Sequence, residues 1–222
     1  MQPTDSKIRV CLIDDQAIIR ASLRSFLDQE GPFDVVGDSS NAREGIAMVE
    51  ELKPEIVVLD ITMPGLSGID AIPKLKSISP ATKILMLTHH EGTSFVQEAM
   101  QAGASGYLSK DSEPEELAMA IQAVHRGDPF LSPKVSQGVL SGLTSGDPEG
   151  LRNPTKISCL TPREREVFQL LATGSSNKEV AFELKTSLGT AKKHRENLQR
   201  KLQCSSMAEL TRLAIREGLL EA

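Results

Sequence analysis

The chain has 222 residues, 39% of them hydrophobic and 3% aromatic, enough for one large or two small cores built from aliphatic side chains. No apolar run nears the ~18 residues that span a bilayer, the polar start from Met1 to Lys7 lacks the apolar stretch of a secretory signal, and Cys11, Cys159 and Cys204 are too scattered for a CxxC zinc site or a disulfide framework; a cytoplasmic protein away from membranes is expected. The net charge of −5 is unevenly placed, with 11 Lys and Arg against 20 Asp and Glu in residues 1–130 and 14 against 10 in the remainder, so an acidic half is joined to a basic half suited to nucleic acid.

Ile8 to Ile13 is a predicted strand ending in Asp14 and Asp15. A helical pattern follows through Ile18, Ile19, Leu23, Phe26 and Leu27, and Gly31-Pro32 stops it. Phe33 to Gly37 is a second strand and Asn41 to Leu52 a second helix. Ile56 to Leu59 is short, apolar and β-branched, which predicts a third strand buried on both faces. It runs into Asp60, and Met63-Pro64-Gly65 then turns the chain. A third helix is expected over about 68–78, kinked or shortened by Pro73. Lys83 to Thr88 is a fourth strand, Phe95 to Ala102 a fourth helix, and Ser105 to Leu108 a fifth strand. Ser112 and Glu115 have the spacing of a capping box at the start of a fifth helix.

Strands alternating with helices predict a five-stranded parallel sheet, doubly wound, in an α/β domain of about 125 residues. The notable polar residues all fall where strands end: Asp14 and Asp15, Asp60, Thr88 and Lys110. Strand C-termini of an open parallel sheet share one edge, where such sheets bind ligands. Taken alone, Asp60 has three readings: metal ligand, nucleophile, or cap of a following turn.

Residues 132–156 contain four glycines and three prolines and read as a tether, with room for a short helix over 133–140. Beyond it, Thr161-Pro162-Arg163-Glu164 and Ser176 with Glu179 are two capping boxes, each opening a helix. A third helix should run to about Gln203, with Leu188, Ala191, Leu198 and Leu202 along one stripe. Lys192, Lys193, Glu196, Gln199 and Arg200 fall on another face, polar and mainly basic. A fourth helix, opened by Ser206 with Glu209, should reach Glu217. The small domain is therefore all-α with four helices, and a helix, a brief turn and a basic second helix match helix-turn-helix DNA binding.

Two resemblances follow from these residues. Asp14-Asp15, Asp60 with Met63-Pro64-Gly65, Thr88, and Tyr107 followed by Lys110 resemble the receiver domain of two-component response regulators, over about residues 7–128. The stretch from Leu160 to Leu202 resembles the LuxR-type DNA-binding domain, over about residues 158–218. Together the chain looks like a NarL/FixJ-type response regulator, with a receiver over 1–130, a flexible linker over 131–157 and a helix-turn-helix domain over 158–222.

The resemblance implies that Asp60 accepts a phosphoryl group from a sensor histidine kinase. Asp14, Asp15, Asp60 and the backbone carbonyl of Thr62 would hold Mg²⁺, and Lys110 would bind phosphoryl oxygens. Thr88 and Tyr107 would act as the switch, with Tyr107 turning inward on phosphorylation, and Thr62 and His90 would set how long the acyl phosphate survives. Lys192, Lys193 and Glu196 would face the major groove of double-stranded DNA, while Thr190, His194, Arg200 and Lys201 would bind its backbone or brace the helix. Met207, Leu210 and Ala214 would form the contact of a homodimer. Ala191 departs from the usual valine.

The expected function is phosphorylation-controlled transcription regulation, with no enzymatic activity beyond phosphotransfer onto Asp60. An aspartyl phosphohydrolase of the haloacid-dehalogenase type would need a second aspartate, as general acid, where Thr62 stands. An interaction module whose receiver takes no phosphate is the other alternative.

Overall fold

The computed structural model describes residues 7–90, 92–144, 160–204 and 206–216. The chain divides into two compact units at about residues 151 and 152.

The first unit alternates strand and helix: β1 (Ile8–Ile13), α1 (Ala17–Gln29), β2 (Phe33–Ser39), α2 (Ala42–Leu52), β3 (Ile56–Leu59), α3 (Gly68–Ile78), β4 (Lys83–Thr88), α4 (Thr93–Ala102), β5 (Gly106–Ser109) and α5 (Pro114–Arg126). All strand pairs are parallel, in the order β2-β1-β3-β4-β5, and a two-residue strand β6 (Phe130–Leu131) extends the β5 edge. The sheet therefore has six strands where five were expected.

Strand residues alternate between the two faces. Val10, Leu12, Ile56, Val58, Leu85, Leu87 and Leu108 pack with Leu27 of α1 and Leu117, Ile121 and Val124 of α5. By the same alternation, Cys11, Ile13, Val57, Leu59, Met86 and Tyr107 take the opposite face, and all six are buried.

Several boundaries differ from the sequence reading for local reasons. α3 runs unbroken through Pro73. α5 starts at Pro114 with Glu113 as its N-cap and no side-chain capping bond, so Ser112 and Glu115 form no box. Proline prefers the first helical position, and here it sets the start.

The tether reading is corrected in its first part. Pro133–Thr144 is a helix, α6, longer than the 133–140 allowed for. The Ser132 amide donates to the Tyr107 carbonyl at 3.1 Å, Val135 is fully buried, and α6 lies against α4 and β5. The glycine content masked this anchor. Residues 145–159, with the centre of the expected linker and Cys159, lie outside the described residues.

The second unit is all-helical: α7 (Pro162–Ala172), α8 (Asn177–Glu183), α9 (Leu188–Leu202) and α10 (Met207–Arg216). Thr161 and Ser176 both complete capping boxes, with Glu164 and Glu179. Ser187 caps α9 through the Thr190 amide, and Ser206 accepts from the Glu209 amide at the start of α10. Val167, Phe168, Leu171, Val180, Leu184, Leu198, Leu202 and Leu210 are among the side chains of one core. The expected end of α10 at Glu217 lies outside the described residues.

Candidate functional site

β1 and β3 are neighbours at the centre of the sheet, where the strand order reverses, and a crevice opens beyond their C-terminal ends. Asp14 follows β1 and Asp60 follows β3, both buried, while Asp15 is exposed. Carboxylate oxygens of Asp14, Asp15 and Asp60 all lie within 4.8 Å of one another. Lys110, just past β5, reaches in with its Nζ 2.8 Å from Asp14 Oδ2 and 2.9 Å from Asp60 Oδ2, and its side chain is 2% exposed. Backbone amides orient the acids: Ile61 donates to Asp60 Oδ1 at 2.7 Å and Gln16 to Asp14 Oδ1 at 2.8 Å.

Burial pushes the Asp60 carboxyl up to about 6, with the Asp14 charge adding to it and Lys110 opposing it. Burial would lower Lys110, but attraction to Asp60 and Asp14 outweighs it, so the ammonium is held above its ordinary value. With all carboxylates ionised, three negative charges face one positive. Such a donor set suits a hard divalent cation that prefers oxygen ligands and keeps several waters, as magnesium does. The residues fit that group.

Two residues that support the pocket escaped the sequence reading. A Cβ on Gly68 would sit 1.9 Å from the Asp60 carbonyl oxygen, so only glycine lets α3 start against the Asp60 backbone. The Gly68 amide donates to the Ile61 carbonyl at 3.0 Å. The second glycine of Met63-Pro64-Gly65-Leu66-Ser67-Gly68 was the available signal. Arg20 of α1 donates to the Asp14 carbonyl at 2.6 Å and to Asp38 Oδ2 at 3.1 Å. Arg24 donates to the other Asp38 oxygen at 2.7 Å, and these bonds hold Asp38 below the ordinary carboxylate range despite the opposing effect of burial. One-dimensional spacing carried no sign of that clamp.

Thr88, Tyr107 and Thr62 converge on one residue, His90. The His90 amide donates to the buried Thr88 hydroxyl at 3.3 Å, and the Tyr107 hydroxyl donates to the His90 carbonyl at 2.5 Å. The His90 ring is 2.6 Å from the Thr62 hydroxyl through Nε2 and stacks on Phe95 of α4 at 4.8 Å. Tyr107 is fully buried, so it already points inward, ahead of the turn expected on phosphorylation.

In the second unit, α8, a short turn and α9 form the helix-turn-helix, and the turn passes through Lys185 at φ +49°. Lys192, Lys193, Glu196, Thr190 and Arg200 are exposed on α9, and His194 is half-buried. Arg200 donates to Asn197 Oδ1 at 2.6 Å. Of the two roles expected for Lys201, backbone contact or bracing of the helix, its pairing with Glu164 at 2.7 Å fits the second, tying α9 to α7. Two readings change. Leu210 and Ala214 are fully buried in the core of their own domain, and Met207 packs against that core, so they do not form a free surface for a second chain. The face that α10 leaves exposed carries Ala208, Arg212 and Ile215. Leu188, expected in the buried stripe, is 39% exposed.

A doubly wound sheet with an acid triad and a lysine at its C-terminal edge, followed by a helix-turn-helix domain, defines a response regulator with a DNA-binding output. Residues 10–122 match the response regulator receiver domain family, and residues 158–214 match the luxR family of bacterial regulatory proteins. The chain is 35% identical over 214 residues to the transcriptional regulatory protein MctR of Rhizobium johnstonii, covering 96% of each. It is 35% identical over 213 residues to LiaR of Bacillus subtilis, covering 96% of this chain and 99% of that one. Among solved structures, it is similar to the response regulator ChrA of a heme-sensing two-component system, with 31% identity, a TM-score of 0.52, and 97% and 100% of the two chains covered. It is also similar to RcsB in complex with DNA, with 25% identity, a TM-score of 0.56, and 93% and 97% covered. The chain belongs to the NarL/FixJ-type two-component response regulators, with a receiver domain and a LuxR-type DNA-binding domain. No helix among the described residues is long and apolar enough to cross a membrane.

Proposed function

We propose that this protein is a transcription regulator switched by phosphorylation of Asp60, with a sensor histidine kinase as donor and promoter DNA as target. The observation that carries it is the Asp60 carboxylate, buried at the end of β3 beside two further acids and the Lys110 ammonium.

A carboxylate attacks an anionic phosphoryl group poorly unless the repulsion is offset. Asp14, Asp15 and Asp60 would hold Mg²⁺ with the Thr62 carbonyl, and the bound cation would supply that charge. Asp60 Oδ forms the new bond to phosphorus while the bond to the donor nitrogen breaks, and the leaving imidazole takes the electron pair. Lys110, between Asp14 and Asp60, is placed to bind phosphoryl oxygens as a compact cation. The chain is then a phosphoacceptor and not a turnover enzyme.

The new group offers strong acceptor oxygens. Thr88 would exchange its bond from the His90 amide for donation to one of them. Because Tyr107 holds the His90 carbonyl, that exchange pulls on the loop after β4, on α4 through Phe95, and on β5. The reading extends to dimerisation through a resurfaced receiver and to a cytoplasmic setting where kinase and DNA meet. A similar response regulator, RcsB, solved in complex with DNA supports the output half.

The test is DNA binding by the full chain before and after phosphorylation. Tighter binding and a larger oligomer in the phosphorylated sample support the proposal. Phosphorylation that changes neither contradicts the proposal, and a folded chain that takes no phosphate supports the interaction-module alternative.

A further inference from the structure

Within that DNA-binding reading, we infer that Leu188 is a specificity residue that recognises the 5-methyl group of thymine in the major groove, and that Gly189 gives the helix room to bring it there.

The first residues of the second helix in such a motif reach base edges. Leu188 is the first residue of α9, directly after the cap Ser187. It stays 39% exposed while Ala191, Leu198 and Leu202 on the same helix are at most 1% exposed. One helical turn separates Leu188 from Lys192, and another separates Lys192 from Glu196, so the three make one continuous exposed row. A large apolar side chain in a row otherwise charged has no core to fill.

Thymine is the one base that presents a methyl group in the major groove. Lysine matches the acceptors of guanine, and glutamate the amino group of cytosine. Lys192 and Glu196 therefore read G·C pairs, and Leu188 supplies the apolar contact they cannot. A turn of helix is about 5.4 Å, so the thymine should lie within about two base pairs of the Lys192 contact.

Gly189 supplies the second observation. Its Cβ would meet only Ser187 Oγ, at 3.7 Å, and its φ is not positive. Neither packing nor backbone geometry calls for glycine there, and glycine weakens a helix relative to alanine. A missing side chain on the exposed face, next to Leu188, allows close approach to the groove.

The test uses the phosphorylated full chain and a duplex it selects from a random-sequence pool. Each thymine of the selected site is replaced singly by deoxyuridine, which removes only the methyl group. Wild type should lose about three- to tenfold in affinity at one position per half-site, the effect of one buried methyl. Leu188→Ala should bind the thymine and uracil duplexes equally, and Leu188→Gln, with its helical circular dichroism intact, should do the same. Gly189→Ala should melt higher yet bind every duplex more weakly. A wild-type ratio retained in Leu188→Ala and Leu188→Gln, no thymine position that responds, or Gly189→Ala binding as tightly as wild type would each overturn the inference while leaving DNA binding intact. Failure to select any duplex would overturn the DNA-binding reading itself.

Discussion

The Thr62 hydroxyl and the His90 Nε2 lie 2.6 Å apart, bridging the loop after β3 to the loop after β4. Thr62 stands two residues beyond Asp60, and Phe95 of α4 stacks on the His90 ring. Water that attacks an acyl phosphate must approach in line with the bond it breaks. If the bridge hinders that approach, His90→Ala should lose its phosphate several-fold faster than wild type. The half-life of ³²P-labelled protein measures this, and an unchanged half-life would exclude the bridge as a barrier.

The second prediction concerns Asp60 and pH. Its carboxyl titrates at about 6 in the folded chain, above the 3.8 of an ordinary aspartate. The folded state therefore holds the proton more tightly. The stabilisation from that proton is present in full below about 3.8 and is lost as pH rises through about 6. At pH 7 and above, the ionised carboxylate opposes folding by on the order of 1–3 kcal/mol. Asp60→Asn removes the charge and should raise the melting temperature at pH 7–8, with the gain fading toward pH 4. Equal melting temperatures at pH 8 would contradict the burial argument.

The third prediction concerns the relay. Thr88→Ala removes the hydroxyl that now accepts from the His90 amide, and Tyr107→Phe removes the bond to the His90 carbonyl. Both variants should accept phosphate yet respond weakly in oligomerisation and DNA binding. Gel filtration of the phosphorylated proteins reads this out. A Thr88→Ala variant that dimerises like wild type would show that Thr88 is not the relay.

The fourth prediction separates two adjacent basic residues. Arg200 is exposed on α9, whereas Lys201 is committed to Glu164. Arg200→Ala should weaken binding to all DNA alike and lower the slope of log affinity against log salt by about one. Lys201→Ala should leave that slope unchanged and destabilise the small domain by about 0.5–1 kcal/mol. Thermal melts and salt titrations of both variants distinguish the two roles.

The α/β domain was legible because its signals are local. Ile56 to Leu59 is short and β-branched and so reads as a buried strand, which puts Asp60 at its end. The acids and Lys110 could be placed on one sheet edge because parallel strands share their direction. What stayed hidden depends on contacts distant in sequence. Nothing near Arg20 points to the Asp14 carbonyl, and nothing near Lys201 points to Glu164, 37 residues earlier. The same holds for Leu210 and Ala214. A helix periodicity marks an apolar face but does not say whether its own domain or a second chain covers it. α6 was missed in part because glycine frequency outweighed Val135 and Val139, spaced one helical turn apart.

The most direct measurement is the intact mass of the full chain after incubation with acetyl phosphate and Mg²⁺. The account predicts one added phosphate on wild type, none on Asp60→Asn, and loss of the addition when Mg²⁺ is chelated. One phosphate on Asp60→Asn at the wild-type rate, or none on folded wild type, would contradict it.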